Sequence, residues 1–236
     1  MALPGEGFIA LWNDILPHRD DYDAWHTIEH VPERMGVDGF LCAHRYVLEA
    51  GGLPKYFTLY ALGELAALNS EPYRRLISEP TAQTRRMRPD FRSFQRHVCR
   101  TRFTQGAGVG GFAAVCLITP ALATLAGLLR PSLLGLDGVI AVHFGDVDPS
   151  AAPLELGMNA PPPRETAGVL IVEGYGVQAL ARSCEGIGLG GLDAGFDGWS
   201  YYKLAFELRK ADLDRRGDEA AHRSSGDDRA ALGPPA

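Results

Sequence analysis

The chain has 236 residues with 46% hydrophobic and 22% charged side chains, and its formal net charge is −6. This composition predicts a globular protein with a substantial core, and the acidic balance argues against a nucleic-acid partner, because nucleic-acid binders are usually basic. The four cysteines lack C-x-x-C spacing, which predicts reduced and mostly buried thiols in a cytoplasmic protein.

The first predicted elements are a strand over 7–17, GFIALWNDILP, and a helix over 20–35. Within the helix, His26 to His30 read H-x-x-E-H, the inverted zinc-protease signature. That site needs a regular helix and a third ligand from a downstream helix, whereas here Pro32 follows closely and no downstream helix offers a suitable ligand. The sequence therefore predicts no metal site.

The predicted helix ends just after His30, since Pro32 and Gly36 follow it. At the C-terminal end of a helix the macrodipole favours a protonated imidazole, which would suit a general acid. A hydrogen-bonded structural histidine is the alternative. His26 lies one turn earlier and is either a surface or capping histidine or a substrate contact.

The second half of the chain repeats the layout of the first. MGVDGFLCAH (35–44) parallels LGLDGVIAVH (134–143), and YFTLYALGELAAL (56–68) parallels GVLIVEGYGVQAL (168–180). Further strands are predicted at 94–103, 111–120 and 199–208, and further helices over 64–92, 120–134 and 176–186. Each half therefore has the order strand, helix, strand, strand, helix, strand, which is the ferredoxin-like βαββαβ unit.

The predicted fold class is α+β, with two ferredoxin-like units packed sheet to sheet as a pseudo-dimeric α+β barrel. One unit alone would expose an apolar sheet face too large for a soluble monomer, and a second unit can cover it. We expect an N-terminal half over 1–105, a C-terminal half over 106–210 entered through the glycine-rich FTQGAGVGG, and a disordered tail over 211–236. The protein would be a monomer or a homodimer.

Two stretches have an unusual charge pattern. The first, Gly106 to Leu129, has no charged residue and the length of a membrane span, but it opens on glycines and contains Pro120. Because the repeat also gives it a place in the second half, we expect no membrane partner. The second, Arg74 to Arg102, holds nine arginines and predicts either a solvated surface or an anion-contacting one.

The residues from Tyr22 to Tyr46 and the arginine-rich text at 73–96 resemble the dimeric α+β barrel superfamily, in particular its EthD-like members. The resemblance implies the barrel fold. It leaves the activity open, because the superfamily includes cofactor-free monooxygenases, cyclases, isomerases, lyases, haem-handling enzymes and members without known activity. It also implies an acid/base role for His30 beside the cleft, with Glu29 either its orienting partner or a plain surface carboxylate.

Strand alternation predicts which side chains enter the barrel. The predicted interior positions are Ala10, Trp12 and Asp14 on the first strand, Phe40, Cys42, His44 and Tyr46 on the second, Tyr56, Thr58 and Tyr60 on the third, and His143, Glu173, Tyr201 and Lys203 in the second half. A polar lining of this kind indicates a pocket. His44 and His143 hold equivalent positions in the repeat, which predicts either a shared structural role or a pair facing one pocket.

The predicted function is a cofactor-free small-molecule enzyme of the lyase, isomerase or cyclase type, in which histidines transfer protons. The catalytic candidates are His30, His44, Glu29 and Tyr60, and the substrate-binding candidates are Trp12, Asp14, His26, Tyr46 and His143. The expected partner is a small apolar or aromatic compound with a carbonyl or phenol group. No cofactor is expected, because Rossmann, P-loop and c-type haem motifs are absent from the sequence. The alternatives are a barrel-type monooxygenase and a non-catalytic binding or dimerisation protein.

Overall fold

The computed structural model describes residues 3–17, 19–123, 133–151, 165–185 and 198–215. Within these ranges the strands are β1 Gly7–Ile15, β2 Phe40–Ala50, β3 Tyr56–Leu62, β4 Phe91–Gly106, β5 Phe112–Ile118, β6 Val139–Val147, β7 Gly168–Gly174 and β8 Ser200–Arg209. The helical segments are α1 Tyr22–Trp25, a π-helix His26–His30, α2 Val31–Met35, α3 Glu71–Ser78, α4 Ala82–Met87 and α5 Val177–Glu185, with 3₁₀ turns at Leu65–Asn69, Arg88–Asp90 and Pro120–Leu122. Most of the helix predicted over 120–134 lies outside the described residues.

The strands close into one antiparallel barrel in the order β1-β3-β2-β8-β5-β7-β6-β4. Within the first half of the chain the order is β4-β1-β3-β2, and within the second half it is β8-β5-β7-β6, so both halves have the same arrangement. The halves are hydrogen-bonded along two seams, β2 with β8 and β4 with β6. These seams pair the edge strands of each half with those of the other, which protects edges that would otherwise recruit other chains.

The barrel interior is mostly apolar and aromatic. Trp12 is fully buried there and stacks on Phe57 at a ring-centroid distance of 4.8 Å. Phe57 in turn stacks on Tyr46 at 5.4 Å. Full burial contributes about 1.5–3 kcal/mol for a large apolar side chain, so these rings are a main source of barrel stability.

Strand alternation placed Ala10, Trp12, Cys42 and Tyr46 correctly, since all four belong to the core inside the barrel. On β3 the prediction is wrong. Phe57, Leu59 and Ala61 enter the barrel, whereas Tyr56, Thr58 and Tyr60 face the helices. Every residue of β3 is buried, because the barrel covers one face and the helices cover the other. Strand alternation therefore predicted that successive side chains of β3 point to opposite faces, but it could not show which face lies inside the barrel.

Two other strands depart from the predicted parity. A register shift between Phe40 and Cys42 puts Phe40 into the core beneath the helices, although Cys42 still faces inwards. On β8 the inward residue is Tyr202, whereas Tyr201 packs in an outer cluster and Lys203 is exposed.

The repeated Asp-Gly pairs form two matched turns. Gly39 and Gly138 have φ values of +90° and +81°. A Cβ on Gly39 would lie 2.6 Å from Cβ of Ala67, and a Cβ on Gly138 would lie 2.5 Å from Cβ of Ala179. Glycine is therefore required twice over at each turn, by the backbone and by the close approach of the following helical segment.

The end of β8 continues into a helical stretch at 210–215. Lys210 Nζ donates to the carbonyls of Met35 and Gly36 at 3.0 and 3.1 Å, and Leu213 packs against the core. The predicted tail over 211–236 thus begins with an ordered turn, and residues 216–236 lie outside the described part of the chain. In the ranges that the structure describes, no helix has the length and apolar character needed to cross a membrane.

Candidate functional site

A small cavity lies between the helical segment 22–35 and the outer face of the N-terminal sheet, and we call it the helix–sheet cavity. Its volume is about 60 Å³. At ~10–15 Å³ for each water, this is room for on the order of five waters. The lining residues are Ile9, Leu11, Asn13, Trp25, His26, His30, Arg34, Phe40, Tyr60, Tyr73, Ile77, Thr84, Arg88, Phe91, Phe94 and Arg96.

The histidines reach this cavity because His26–His30 is a π-helix turn. The N–H of Val31 donates to the carbonyl of His26, five residues back. Residues four and five apart therefore share one face: the rings of His26 and His30 lie 5.2 Å apart, and the ring of Trp25 lies 4.7 Å from His30. Pro32 favours the wider turn, because it has no N–H for the carbonyl four residues back and its ring would clash there in an α-helix.

The π-turn corrects the predicted geometry of this segment. A regular α-helix would put Trp25 on one face and the two histidines on its neighbour. The wider turn merges these faces, so that all three side chains line the same cavity. π-turns of this kind are frequent at functional sites.

Within the described residues, five side chains of the cavity carry a buried polar atom that has no hydrogen-bond partner. These atoms are Trp25 Nε1, His26 Nδ1, His30 Nδ1, Arg34 Nη1 and Tyr60 Oη. A buried polar atom left unpaired costs roughly 1–3 kcal/mol, and native proteins contain few of them. Their concentration in one cavity is the arrangement expected of a site that binds a polar occupant.

Burial and nearby arginines keep both imidazoles neutral. Burial lowers the pKa of His26 well below its ordinary value, and Arg45 and Arg34 lower it further. The pKa of His30 is lowered in the same way, first by burial and then by Arg34. The prediction that His30 is a protonated acid at a helix end is therefore wrong, because α2 continues the helix beyond it and desolvation decides its charge. Neutral imidazoles are proton acceptors, so the site offers bases.

Arg34 and Tyr60 supply hydrogen-bond donors beside these bases. Arg34 is 6% exposed, and its Nη1 lies 3.6 Å from Oε2 of Glu33, which is beyond hydrogen-bond distance. Burial raises the pKa of Tyr60, so its hydroxyl keeps its proton. With the N–H of Trp25, these groups can stabilise an anion that forms when a base removes a proton.

The predicted site residues of the helix and of β3 divide into two places. Tyr60 enters the helix–sheet cavity, where it joins His26 and His30, although it was predicted inside the barrel. Glu29 is not part of the cavity lining, and its carboxylate accepts a hydrogen bond from Thr81 Oγ1 at 2.5 Å. The expected pairing of Glu29 with His30 is therefore replaced by a contact with the N-terminus of α4.

The other predicted histidines, His44 and His143, meet at Glu173 inside the barrel. Nδ1 of His44 lies 3.7 Å and Nε2 of His143 lies 3.5 Å from Oε1 of Glu173. Tyr46 donates its hydroxyl to the same oxygen at 3.1 Å, and the N–H of Gly110 donates to Oε2 at 2.7 Å. The equivalent histidines of the two halves thus flank one buried carboxylate.

This barrel cluster carries opposite charges. Burial alone would raise the pKa of Glu173, but the nearby imidazoles of His143 and His44 outweigh it and hold that pKa well below its ordinary value. Burial alone would lower the pKa of His44, yet the neighbouring Cys42 and the Glu173 carboxylate raise it to about 10. A buried charge is stable only when it is paired and hydrogen-bonded, which this geometry provides.

A second cavity of about 370 Å³ opens beside the barrel cluster. Cys42, His44, Glu173, Glu207 and Arg209 line it together with apolar residues. It is the larger of the two cavities, but its polar groups are already paired: Arg209 Nε lies 2.6 Å from Glu207 Oε1, and Glu173 is fully hydrogen-bonded. We therefore assign the candidate site to the helix–sheet cavity, where the polar groups lack partners.

Four of the predicted substrate contacts, Trp12, Asp14, Tyr46 and His143, lie in the lining of neither cavity. Trp12 is fully buried in the barrel, and Oδ1 of Asp14 accepts a hydrogen bond from the N–H of Lys55 at 2.8 Å. In the described ranges, no group of three His, Cys, Asp or Glu side chains is arranged to hold a metal ion.

Arginines are the cavity residues that sequence reasoning did not select. Arg34 follows His30 by four residues, a helical spacing that could have indicated it, and Arg88 and Arg96 belong to the arginine-rich stretch. Most other members of that stretch lie at the surface and pair with carboxylates: Arg74, Arg75, Arg86, Arg100 and Arg102. The stretch is thus mainly a solvated surface, with two members that face the cavity.

No protein-family model matches the chain, and no curated protein matches it in sequence. Among solved structures, an anthrone oxidase-like protein superposes with a TM-score of 0.59 at 10% identity, covering 89% of this chain and 96% of that one. A candidate monooxygenase from Fusobacterium nucleatum subsp. nucleatum superposes with a TM-score of 0.52 at 8% identity, covering 87% and 95%. One from Lactobacillus acidophilus NCFM superposes with a TM-score of 0.51 at 9% identity, covering 88% and 97%.

At identities this low the likeness establishes the fold and not the activity. The narrower resemblance to EthD-like members stays a prediction. The similar structures and the closed barrel together show that this chain shares the fold of these proteins, an α+β barrel in which the described residues of one polypeptide supply eight antiparallel strands.

Proposed function

We propose that the protein is a small-molecule enzyme of the barrel-monooxygenase kind, which acts in the helix–sheet cavity on a small aromatic ketone or phenol. The observation that carries the proposal is the set of five unpartnered polar atoms in that cavity, two of them on neutral imidazoles. The descriptions of the fold neighbours as anthrone oxidase-like and as candidate monooxygenases support oxygenation over the lyase, isomerase or cyclase type.

The first step is proton abstraction by His30 or His26. A neutral imidazole takes a proton from an acidic C–H beside a carbonyl or an aromatic ring. Arg34, Tyr60 and the N–H of Trp25 hold the oxygen on which the negative charge develops. The apolar walls exclude water, which strengthens these contacts and protects the carbanion from simple reprotonation.

Oxygen then reacts with the substrate anion. The carbanion forms a C–O bond to O₂, giving a peroxide that takes up the proton from the imidazolium. Loss of water from this hydroperoxide leaves a new carbonyl, so that a CH₂ group and O₂ become C=O and H₂O. O₂ accepts all four electrons, and the balance requires no further reductant.

Oxygen uptake with phenylacetone, a single-ring ketone with an acidic CH₂ group, tests the proposal. We expect consumption of one O₂ for each new carbonyl formed, and a rate lowered about a hundredfold or more in His30→Asn or in the His26→Asn/His30→Asn double variant. Ile28→Asn is the matched control, because Ile28 lies in the same π-turn but is 76% exposed. A double variant that keeps the full rate would contradict the assignment of the bases.

A lyase, isomerase or cyclase is the second candidate function. The observation that favours it is the 5.2 Å spacing of two neutral imidazoles, which would allow one to remove a proton and the other to return it elsewhere. Turnover that continues at the same rate under argon would select this candidate. Tight binding without turnover in either atmosphere would select a non-catalytic binding protein.

The domain organisation that we propose is two ferredoxin-like halves over 1–105 and 106–210, related by duplication. The shared strand order of the halves supports it. The matched turns at Gly39 and Gly138 and the paired histidines His44 and His143 also support it. In this arrangement the first half carries the catalytic helix and the second completes the barrel.

A further inference from the structure

The charged side chains that line the helix–sheet cavity are all positive. Arg34, Arg88 and Arg96 line it, and none of the described residues in its lining is an Asp or Glu. Arg34 is almost completely buried, and its Nη1 has no hydrogen-bond partner. Its anionic neighbour is Glu33, whose Oε2 lies 3.6 Å from Nη1 and which is not part of the cavity lining, so the guanidinium keeps a buried donor free for an anion inside the cavity.

Arg34 acts electrostatically on Arg88 and on both histidines of the cavity. Burial and then Arg34 lower the pKa of Arg88. Arg34 also lowers the pKa of His26 and His30, and Arg88 contributes at His30. The positive groups are therefore close enough to repel one another across the space that an occupant would fill.

The rest of the wall limits what this anion can be. Phe40, Tyr73, Phe91 and Phe94 provide aromatic surface, and Ile9 and Leu11 provide apolar surface. An inorganic anion would satisfy the arginines but leave the aromatic walls unused, whereas a neutral aromatic compound would leave the arginines unpaired.

We propose that the natural substrate is an anionic aromatic compound, a small ring system bearing an ionised carboxylate or phenolate that Arg34 binds together with Arg88 and Arg96. This inference rests on the proposed function for its choice of site and adds the substrate class. The ionised group is held by the arginines, and the reacting carbon lies towards the imidazoles.

Titration calorimetry with benzoate and benzamide tests this charge requirement, because the two probes have nearly the same size and differ in charge. We expect benzoate to bind at least tenfold more tightly than benzamide to the wild-type protein. Arg34→Met and Arg96→Met should each weaken benzoate binding at least tenfold, and Arg96→Met should leave benzamide binding within about twofold. Arg86→Met is the matched control, because that exposed arginine pairs with Asp21 and lies outside the cavity.

Arg34 is buried, so its variant could fail to fold. Thermal unfolding is therefore measured for each variant, and Arg96→Met, which removes a half-buried side chain, keeps the test decisive. Equal affinity of benzoate and benzamide, or benzoate binding unaffected by both variants, would overturn the inference. Strong competition of chloride with benzoate would show a simple anion site and would also overturn the aromatic assignment.

The binding measurements are made under argon, which separates this inference from the proposed function. Selective benzoate binding without any oxygen uptake in air would leave the substrate class standing and refute the oxygenase. Oxygen uptake in air with a neutral single-ring ketone, together with equal affinities for benzoate and benzamide, would leave the oxygenase standing and refute the substrate class.

Discussion

The phenolic oxygen of Tyr46 lies 3.1 Å from Oε1 of Glu173, and this hydrogen bond joins β2 in the first half of the barrel to β7 in the second. His44 and His143 approach the same oxygen from the two halves. A single carboxylate, 1% exposed, therefore compensates buried positive charge and hydrogen-bond donors from both halves at once.

Glu173→Gln should destabilise the protein by about 3–5 kcal/mol, the scale for removing one partner of a buried ion pair. The reason is that His44 loses its buried counter-ion. The hydroxyl of Tyr46 and the N–H of Gly110 would then face a neutral amide in place of the carboxylate. Urea unfolding gives the free energy. Glu207→Gln is the control, since that more exposed carboxylate lies 4.0 Å from Nε2 of His44 and should change stability by less than about 1 kcal/mol. Similar losses in both variants would contradict a special role for Glu173.

The stability that His44 contributes to the fold should decrease as the pH rises. Its folded pKa, about 10, lies above the ordinary value of about 6.5, so the contribution is complete below pH ~6.5 and is lost as the pH rises through ~10. Glu173 has the opposite sign: its folded pKa is depressed, so its contribution is present above the ordinary pKa and is lost as the pH falls through the folded pKa.

The measurement is the free energy of unfolding of the wild-type protein and of His44→Gln between pH 6 and 9. The stability difference between them should shrink as the pH rises, because the variant has no imidazolium to lose. Comparing the two proteins cancels the titration of Cys99, Cys116 and Cys184, whose pKa values burial raises. A difference that stays constant across this range would show that His44 is not protonated in the fold.

Arg34→Met should raise the pKa of His30, because Arg34 is one of the charges that lower it. The direction can be read from the imidazole proton shifts of His30 in an NMR titration, without any substrate. If turnover is also measured, the acid limb of kcat/KM should move to higher pH in the variant, because the base must be unprotonated to act. Arg86→Met should leave both curves unchanged, and an unchanged His30 titration in Arg34→Met would contradict the assigned electrostatics.

Gly39→Ala and Gly138→Ala should each destabilise the protein by about 2–4 kcal/mol, which combines the cost of a positive φ with overpacking against an alanine. Two glycines separate these causes. Gly108 has a φ of +84° and would have nothing within 4 Å of an added Cβ, and Gly176 also has open space. Gly108→Ala should therefore show only the backbone cost of about 1–2 kcal/mol, and Gly176→Ala should be nearly neutral. Equal effects at Gly39 and Gly108 would mean that the contact with Ala67 adds nothing.

Local sequence patterns were sufficient for the order of the elements. Alternating apolar runs, proline stops and the repeated Asp-Gly turn predicted the strands and the similar layout of the two halves, because these signals act over a few neighbouring residues. The same patterns predicted that Trp12 and Tyr46 would be inside the barrel. The H-x-x-E-H motif also identified His26 and His30 as candidate site residues from the sequence alone.

Tertiary structure decided the rest. Alternation could not tell the two faces of β3 apart, because helices and barrel bury both, so Tyr60 was assigned to the wrong side. The charge of His30 depends on burial and on Arg34, not on the helix end that the sequence suggested. Arg88 and Arg96 are distant from the histidines along the chain, and only the closed fold brings them to the same cavity, since burial and charge proximity are properties of three-dimensional packing.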